Sequence, residues 1–167
     1  MKYLKIYLAG KMSGLSFEEM NSWRAEIKEK LIKAAEETGY TITVVNPVDF
    51  YNFEEVRYQS EEEVEDYDLA HVLSSNIIVL NIDGLTTSEG TKLEIHDGKF
   101  HNNIPVIAFD EKDLYKDVHP WNKRDITRVE KDKDSLVQYI KDFYMIWVGK
   151  YCNEIWRIQG YYRPAWF

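Results

Sequence analysis

The segment SEGTKLE at Ser88–Glu94 carries residue types that could do chemistry at a helix start. Ser88 and Thr91 place hydroxyl groups around Gly90, and the free N–H groups at the beginning of a helix favour an anion. Glu94 follows about one turn later, so its side chain should point back toward the same end. Donors held near this carboxylate would keep it ionised, as a nucleophile requires. The alternative interpretation is a capped helix with a glutamate on its surface.

Two further acids, Asp66 and Asp68, lie upstream on another predicted helix. A carboxylic acid near a nucleophilic carboxylate is the pair that breaks glycosidic bonds: one group attacks the anomeric carbon and the other manages the leaving-group proton. The alternative is that these acids only solvate their helix, as most acidic runs do.

The loop GKMSG follows the first predicted strand and consists of Gly10, Lys11, Met12, Ser13 and Gly14. It has neither the GxGxxG spacing of a dinucleotide site nor the GK[ST] ending of a P-loop. It therefore fits either an anion cradle or a tight turn from strand to helix.

The elements that must position these residues alternate between strand and helix. Apolar runs predict strands at 4–9, 41–45, 76–82, 104–109 and 126–129. Helical spacing and caps predict helices at 16–39, 60–73, 91–100 and 132–147, with 112–123 as an irregular excursion. This order predicts an α/β fold with a mostly parallel sheet covered by helices on both faces, and ligands then bind beyond the carboxyl ends of the strands.

Composition limits the classes of function. The 167-residue chain has a net charge of −8, which argues against nucleic-acid backbones as partners. It has one cysteine, which fits a reducing cytoplasm, and no apolar stretch near the roughly 20 residues of a membrane span. The first residues form too short an apolar run for a signal peptide. We expect one domain at 1–148 and an aromatic C-terminal tail at 149–167, which packs on the domain or on a neighbouring subunit.

Several strings taken together resemble the nucleoside 2-deoxyribosyltransferase family, which includes 2'-deoxynucleoside 5'-monophosphate N-hydrolases. They are IYLAG at Ile6–Gly10, NPVDFY at Asn46–Tyr51, Asp68, and SEGTKLE at Ser88–Glu94. The resemblance covers about residues 4–110, and its most specific part is the GTxxE element with an upstream aspartate.

The resemblance implies a flavodoxin-like (Rossmann-like) three-layer sandwich and a double displacement that needs no metal and no organic cofactor. It implies that Glu94 attacks C1', that Asp68 helps the base to depart, and that Tyr7 orients the nucleophile. It further implies a small nucleoside or nucleotide as the partner, a role in nucleotide salvage, and a homodimer or higher homo-oligomer with sites completed by an adjacent chain. The residues expected to contact the substrate are Gly10, Lys11, Met12, Ser13, Gly14, Asp83, Ser88, Gly90 and Thr91.

One position departs from many transferase members of the family. They carry an aspartate where this chain has Ser88. A serine at this position resembles what the monophosphate hydrolases have. A carboxylate there would repel the 5'-phosphate at a cost of several kcal/mol in a poorly solvated site, and serine removes that repulsion. The first loop lacks the matching arginine, and Lys11 or Lys92 could supply that charge. Three functions stay open: transfer to a second base, hydrolysis of a monophosphate, and a non-catalytic nucleotide-binding or sensing module.

The remaining candidates favour structural roles. His96 and Asp97 are expected to be structural or solvated, and the histidines lack the spacing of a metal site. The His119–Pro120–Trp121 segment fits base stacking, a subunit contact or packing.

Overall fold

The computed structural model describes residues 2–51 and 55–145, which form five strands and five α-helices. The strands are β1 (Tyr3–Ala9), β2 (Thr41–Val45), β3 (Ile77–Asn81), β4 (Val106–Phe109) and β5 (Arg128–Glu130). The helices are α1 (Phe17–Thr38), α2 (Glu61–Leu73), α3 (Glu89–Asn102), α4 (Pro120–Asp125) and α5 (Lys133–Ile140). Short 3₁₀ helices lie at Pro47–Asp49, Leu85–Thr87 and Tyr115–Asp117, and a π-helical turn at Lys141–Met145 follows α5.

The strands form one sheet in the order β2-β1-β3-β4-β5, and every pairing in it is parallel. Ile6 pairs with Val44 of β2, and Leu8 pairs with Val79 of β3. This is the flavodoxin-like order, in which the chain reverses direction across the sheet between β1 and β3. The predicted three-layer α/β fold is confirmed, and ligands of such sheets bind at this reversal.

Alternate residues of the buried strands face two separate cores. On one face Ile6 and Leu8 pack against Ile27 of α1 and Leu136 of α5. On the other face, Tyr7 packs with Val72 of α2 and Ile95 of α3, among others. The side chain of Tyr7 therefore enters the α2–α3 layer because β1 alternates in this register.

The caps of α1 are as predicted. Ser16 and Glu19 form a capping box, and Gly39 ends the helix with a left-handed φ of 71°. Helix α3 begins at Glu89, slightly earlier than predicted, and Asn103 ends it in a left-handed conformation.

The prediction of an irregular excursion at 112–123 was wrong in part. The segment contains a 3₁₀ turn and α4, whose first turn has Pro120 and whose His119 side chain accepts a hydrogen bond from the Trp121 N–H. The last helix changes to a π-helical turn at Lys141. The tail at 149–167, with its single cysteine, and the boundary proposed at 148 lie outside the described residues.

Within residues 2–51 and 55–145, none of the helices is long and apolar enough to cross a bilayer.

Candidate active site

A buried hydrogen bond joins Tyr7 to Glu94. The Tyr7 hydroxyl donates to Glu94 Oε1 at 2.6 Å, across a sequence separation of 87 residues. Tyr7 is completely buried in β1, and Glu94 lies on α3 just after its first turn. The helix start and the strand end that the sequence singled out therefore meet in one place.

A second phenol holds Asp68. The Tyr51 hydroxyl donates to Asp68 Oδ1 at 2.9 Å. Asn46 positions this loop, because its side-chain oxygen accepts from the Val48 N–H and caps the 3₁₀ turn at Pro47–Asp49. No role was predicted for Tyr51, although it ends the NPVDFY string and marks the position. Asp66 is exposed on α2.

The environment raises the pKa of both carboxyl groups. Burial raises the pKa of Glu94 to about 8; the bond from Tyr7 and the charge of Arg24 lower it, and the charge of Asp68 raises it. Burial raises the pKa of Asp68 to about 6, against the lowering effect of the Tyr51 bond and of Arg24. Part of the Glu94 side chain is still accessible. The expectation that nearby donors keep Glu94 ionised at neutral pH was wrong, because its phenolic donor does not offset the desolvation.

Arg24 is the one lysine or arginine that is buried among residues 2–51 and 55–145. Its guanidinium donates to the carbonyl oxygens of Leu8, Gly10 and Met20 at 3.3, 2.6 and 2.5 Å. The sequence contained a signal for it that we missed: Arg24 falls on the buried stripe of α1 between Met20 and Ile27. Tyr7, Tyr51, Asp68, Glu94 and Arg24 are called the carboxylate cluster below.

The start of α3 is polar and lacks a side-chain cap. Ser88 Oγ and Thr91 Oγ1 lie 2.9 Å apart and share a hydrogen bond, while no side chain caps the helix. Lys11 approaches from the first loop and donates to Thr87 Oγ1 at 3.1 Å. Its aliphatic part covers Gly84 so closely that a Cβ there would lie 2.8 Å from Lys11 Cβ. Three of the predicted contact residues thus gather at one helix end, with Gly90 exposed beside them.

Other predicted contact residues lie elsewhere. Asp83 forms an ion pair with Lys112 at 2.7 Å. Asp83 and Lys112 both line a polar cavity of about 390 Å³ between the strand ends and α1. The wall of this cavity also includes Lys11, Glu19, Trp23 and Asp110. Ser13 and Gly14 are exposed in a turn closed by a hydrogen bond from the Leu15 N–H to the Met12 carbonyl.

An aromatic cavity of about 310 Å³ lies beside Asp68. Aromatic and apolar side chains form one part of its wall and charged side chains the other: Phe50, Tyr51, Tyr58, Val64 and Tyr67, with Glu55, Arg57 and Glu63. Tyr51 lines this cavity and its hydroxyl also binds Asp68, which is not itself a lining residue.

Two of the histidines contact neighbouring side chains of the fold. His96 Nδ1 lies 3.2 Å from Asp125 Oδ2, and His71 stacks on Phe50 with ring centroids 4.6 Å apart. Within the described ranges, no group of three or more histidine, cysteine or acidic side chains is arranged to hold a metal ion. Trp121 stands 73% exposed at the start of α4.

No protein-family model matches the sequence, and no curated protein sequence is significantly similar to it. Solved structures do resemble the fold. A conserved protein from Enterococcus faecalis V583 superposes with a TM-score of 0.64 at 19% identity, covering 84% of this chain and 98% of that one. A 2-deoxyribosyltransferase from the psychrotolerant bacterium Bacillus psychrosaccharolyticus superposes with a TM-score of 0.57 at 20% identity, covering 81% of this chain and 91% of that one. At such identities these similarities show a common fold.

Proposed function

We propose that this chain is a nucleoside 2-deoxyribosyltransferase-like enzyme that cleaves the N-glycosidic bond of a (deoxy)nucleoside or nucleotide through a glycosyl ester on Glu94. The observation that carries the proposal is the hydrogen bond from Tyr7 to Glu94 beside Asp68, two acids with raised pKa values at the reversal point of the sheet. Perturbed acids in such a place are typical of active sites. The fold shared with a 2-deoxyribosyltransferase supports the same assignment.

In the first step the Glu94 carboxylate attacks C1' as the C1'–N bond breaks. The electron pair of that bond passes to the base nitrogen, and Asp68 delivers a proton to the base. Tyr7 holds the attacking carboxylate through Oε1 and leaves the other oxygen for the sugar. The product of this step is a glycosyl ester and a free base.

In the second step an acceptor attacks C1' and the ester bond breaks, which returns its electron pair to Glu94. Asp68, now ionised, takes the proton of the acceptor. A second base gives a new nucleoside, and water gives the free sugar. Both outcomes share the same residues.

Both carboxyl groups hold their protons to a higher pH than usual, Asp68 to a pKa of about 6 and Glu94 to a pKa of about 8. The reaction requires Glu94 ionised and Asp68 protonated. The pair titrates as a unit, so kcat/KM should follow a bell-shaped curve with limbs near these values.

The aromatic cavity is the site we assign to the leaving base. Flat aromatic walls suit a nucleobase, and the volume lies at the lower end of small-ligand pockets. Asp68, which is bound by Tyr51 of this wall, would then supply the proton to a base stacked there.

A second candidate function is hydrolysis of a 5'-monophosphate, which the environment of Lys11 favours. Among the described residues, Lys11 bonds to the neutral hydroxyl of Thr87 and pairs with no carboxylate, whereas Lys92 is paired with Glu89 at 2.6 Å. The Ser88 and Thr91 hydroxyls and the uncapped start of α3 add donors for an anion. We expect Lys11→Met to raise KM for a monophosphate about tenfold and to leave KM for the nucleoside unchanged, with Lys92→Met as the matched control. Equal effects on both substrates would remove Lys11 from the phosphate site.

The experiment that tests the proposed function is chromatography of a deoxynucleoside and of its 5'-monophosphate after incubation with the protein, with and without a second free base. A new nucleoside indicates transfer, and free base alone indicates hydrolysis. Glu94→Gln should lower turnover by about a thousandfold or more, because it removes the nucleophile. Glu89→Gln, a change of the same type on an exposed residue of α3, should not. The absence of any reaction across the panel would favour the non-catalytic nucleotide-binding module.

We also propose that the chain forms a homodimer or higher homo-oligomer. Phe100 and Trp121 expose large apolar surfaces, at 53% and 73%, and Arg124 lies over the Phe100 ring at 4.8 Å. Aromatic and arginine side chains are enriched at subunit interfaces. Sedimentation equilibrium of the wild type and of Trp121→Ser measures this, and a monomeric wild type would end the proposal.

A further inference from the structure

We propose that Glu63 selects the base, because its carboxylate lies in the wall of the aromatic cavity and can accept a hydrogen bond from an exocyclic amino group. The substrate class is then the nucleosides or nucleotides of cytosine or adenine, in preference to those of uracil or hypoxanthine. The inference rests on the proposed function, which assigns this cavity to the leaving base. Its physical content, a preference between two bases, can be measured by binding alone.

The wall of the aromatic cavity offers different contacts to the faces and to the edges of a base. The rings of Phe50, Tyr51, Tyr58 and Tyr67 suit the faces, which are much alike in all bases. The edges differ, because cytosine and adenine present an amino donor where uracil and hypoxanthine present a carbonyl acceptor. The charged side chains of the wall are therefore the groups best able to distinguish one base from another.

Glu63 is the one charged side chain of this wall without an ion-pair partner among residues 2–51 and 55–145. Glu55 and Arg57 pair with each other at 3.0 Å, so their charges offset each other. An ionised carboxylate accepts hydrogen bonds and donates none. Glu63 therefore gives the wall an uncompensated acceptor, which attracts an N–H donor and repels a carbonyl oxygen.

Local hydrogen bonds hold the Glu63 carboxylate in place and leave one of its oxygens for a ligand. Oε2 accepts from the Gln59 N–H at 2.8 Å, and the Glu63 N–H donates to the Ser60 hydroxyl, which caps α2, at 3.3 Å. Oε1 has no hydrogen-bond partner in the described part of the chain. A carboxylate that is already oriented loses little conformational entropy when it binds a ligand.

Helix α2 carries both Glu63 and the proposed acid Asp68. Glu63 and Tyr67 lie four residues apart on one side of the helix, and Val64 and Asp68 lie four apart on the adjoining side. The helix rises about 7.5 Å from Glu63 to Asp68, a span that a base with a hydrogen bond at each end can bridge. The amino group and the glycosidic nitrogen of cytosine and of adenine lie at opposite ends of the base. A base bound through its amino group at Glu63 would therefore direct its glycosidic bond away from the mouth of α2 and toward Asp68.

Glu63→Gln should reverse the polarity that this wall presents. The side-chain carbonyl oxygen of the variant can keep the hydrogen bond from the Gln59 N–H, which leaves the amide NH₂ as a donor where Glu63 has Oε1. The change is nearly isosteric and preserves the contacts at the start of α2. Glu62→Gln is the matched control, because it makes the same change at an exposed neighbouring residue that does not line the cavity.

The test uses two pairs of compounds that differ by an amino group against a carbonyl oxygen: deoxycytidine with deoxyuridine, and deoxyadenosine with deoxyinosine, each also as its 5'-monophosphate. Values of kcat/KM are measured for the wild type, Glu63→Gln and Glu62→Gln. Dissociation constants are measured by calorimetry on Glu94→Gln, with and without Glu63→Gln. We expect the wild type to prefer the amino member of a pair by about tenfold. Glu63→Gln should abolish or reverse the preference, and Glu62→Gln should keep it.

The outcomes separate the two proposals. Cleavage without a preference for the amino member, or with a preference that Glu63→Gln leaves unchanged, would overturn the role of Glu63 and leave the proposed function standing. A Glu63-dependent preference in binding, together with no cleavage by the wild type, would support the role of Glu63 and overturn the proposed function. A panel in which none of the compounds binds would refute the inference as well.

Discussion

The polar cavity and the aromatic cavity beside the carboxylate cluster open at the same edge of the sheet, and the acids near them have different partners. In the polar cavity the charges have close partners: Asp83 pairs with Lys112, and Asp110 accepts hydrogen bonds from the N–H groups of Leu114 and Tyr115. These backbone bonds outweigh burial and hold the pKa of Asp110 below its usual value. In the carboxylate cluster the partners of both acids are phenols, and burial raises the pKa of each acid.

The larger cleft is therefore not the one best suited to chemistry. The polar cavity has the greater volume, about 390 Å³ against about 310 Å³ for the aromatic cavity beside Asp68. Its ion pairs and hydrogen bonds already stabilise its acids as anions. An acid that is to exchange a proton near neutral pH needs the less complete solvation that the carboxylate cluster provides.

After Glu94→Gln, the largest effect on activity should come from Asp68→Asn. Asparagine keeps the shape but cannot give a proton, so we expect kcat/KM to fall about a hundredfold to a thousandfold for a poor leaving base. The loss should shrink for a base that departs without protonation. Steady-state kinetics with bases of graded acidity measures this, and a loss that is the same for every base would mean that Asp68 does not handle the proton.

A smaller effect is expected on stability in Glu94→Gln. The pKa of Glu94 in the folded protein, about 8, exceeds its value in the unfolded chain. Its contribution to stability is therefore complete below the unfolded pKa and is lost as the pH rises through about 8. Glutamine does not titrate, so the variant should gain about 4 kcal/mol over the wild type between pH 5 and pH 9. Urea unfolding at several pH values tests this, with Glu89→Gln as a control that should show no such trend.

Tyr7→Phe should have an effect of about tenfold on kcat/KM at neutral pH, equivalent to about 1.4 kcal/mol. It removes the hydrogen bond that lowers the pKa of Glu94, so the rate should recover in part as the pH is raised. A pH profile identical in shape and position to that of the wild type would contradict this assignment.

The smallest effect should come from Asp83→Asn in the polar cavity. The ion pair with Lys112 is largely exposed, and such pairs contribute about 0–1 kcal/mol. We expect KM to change less than twofold. A tenfold rise would instead support the sequence-based prediction that Asp83 contacts the substrate.

The sequence was sufficient for the fold because its signals were local. The capping box at Ser16, the left-handed Gly39 and the apolar strands each predict their own element, and parallel connectivity follows from their alternation. The placement of Tyr7 beside Glu94 came from the family resemblance, and the structure brings the two together. Their roles in catalysis stay predictions.

The ionisation of the site could not be predicted in the same way. The pKa of Glu94 depends on how many donors reach it and how much water is excluded, and these are properties of the packed molecule. The buried position of Arg24 was not predicted, because a charged residue is normally assigned to the surface even when it falls on an apolar stripe of a helix. Tyr51 was missed because its contact with Asp68 depends on the turn at Pro47–Asp49.

The strand order also has a consequence for how this site is assembled as the chain folds. Strand β3 lies between β1 and β4, so α2 and α3, which carry Asp68 and Glu94, flank a strand inserted at the centre of the sheet. Such long-range contacts form late and slowly, since loop closure must come first. A fragment that ends before β3 would contain Tyr7 and Asp68 but not Glu94, the proposed nucleophile. Recovery of the proposed activity during refolding should therefore lag behind the recovery of helical circular dichroism.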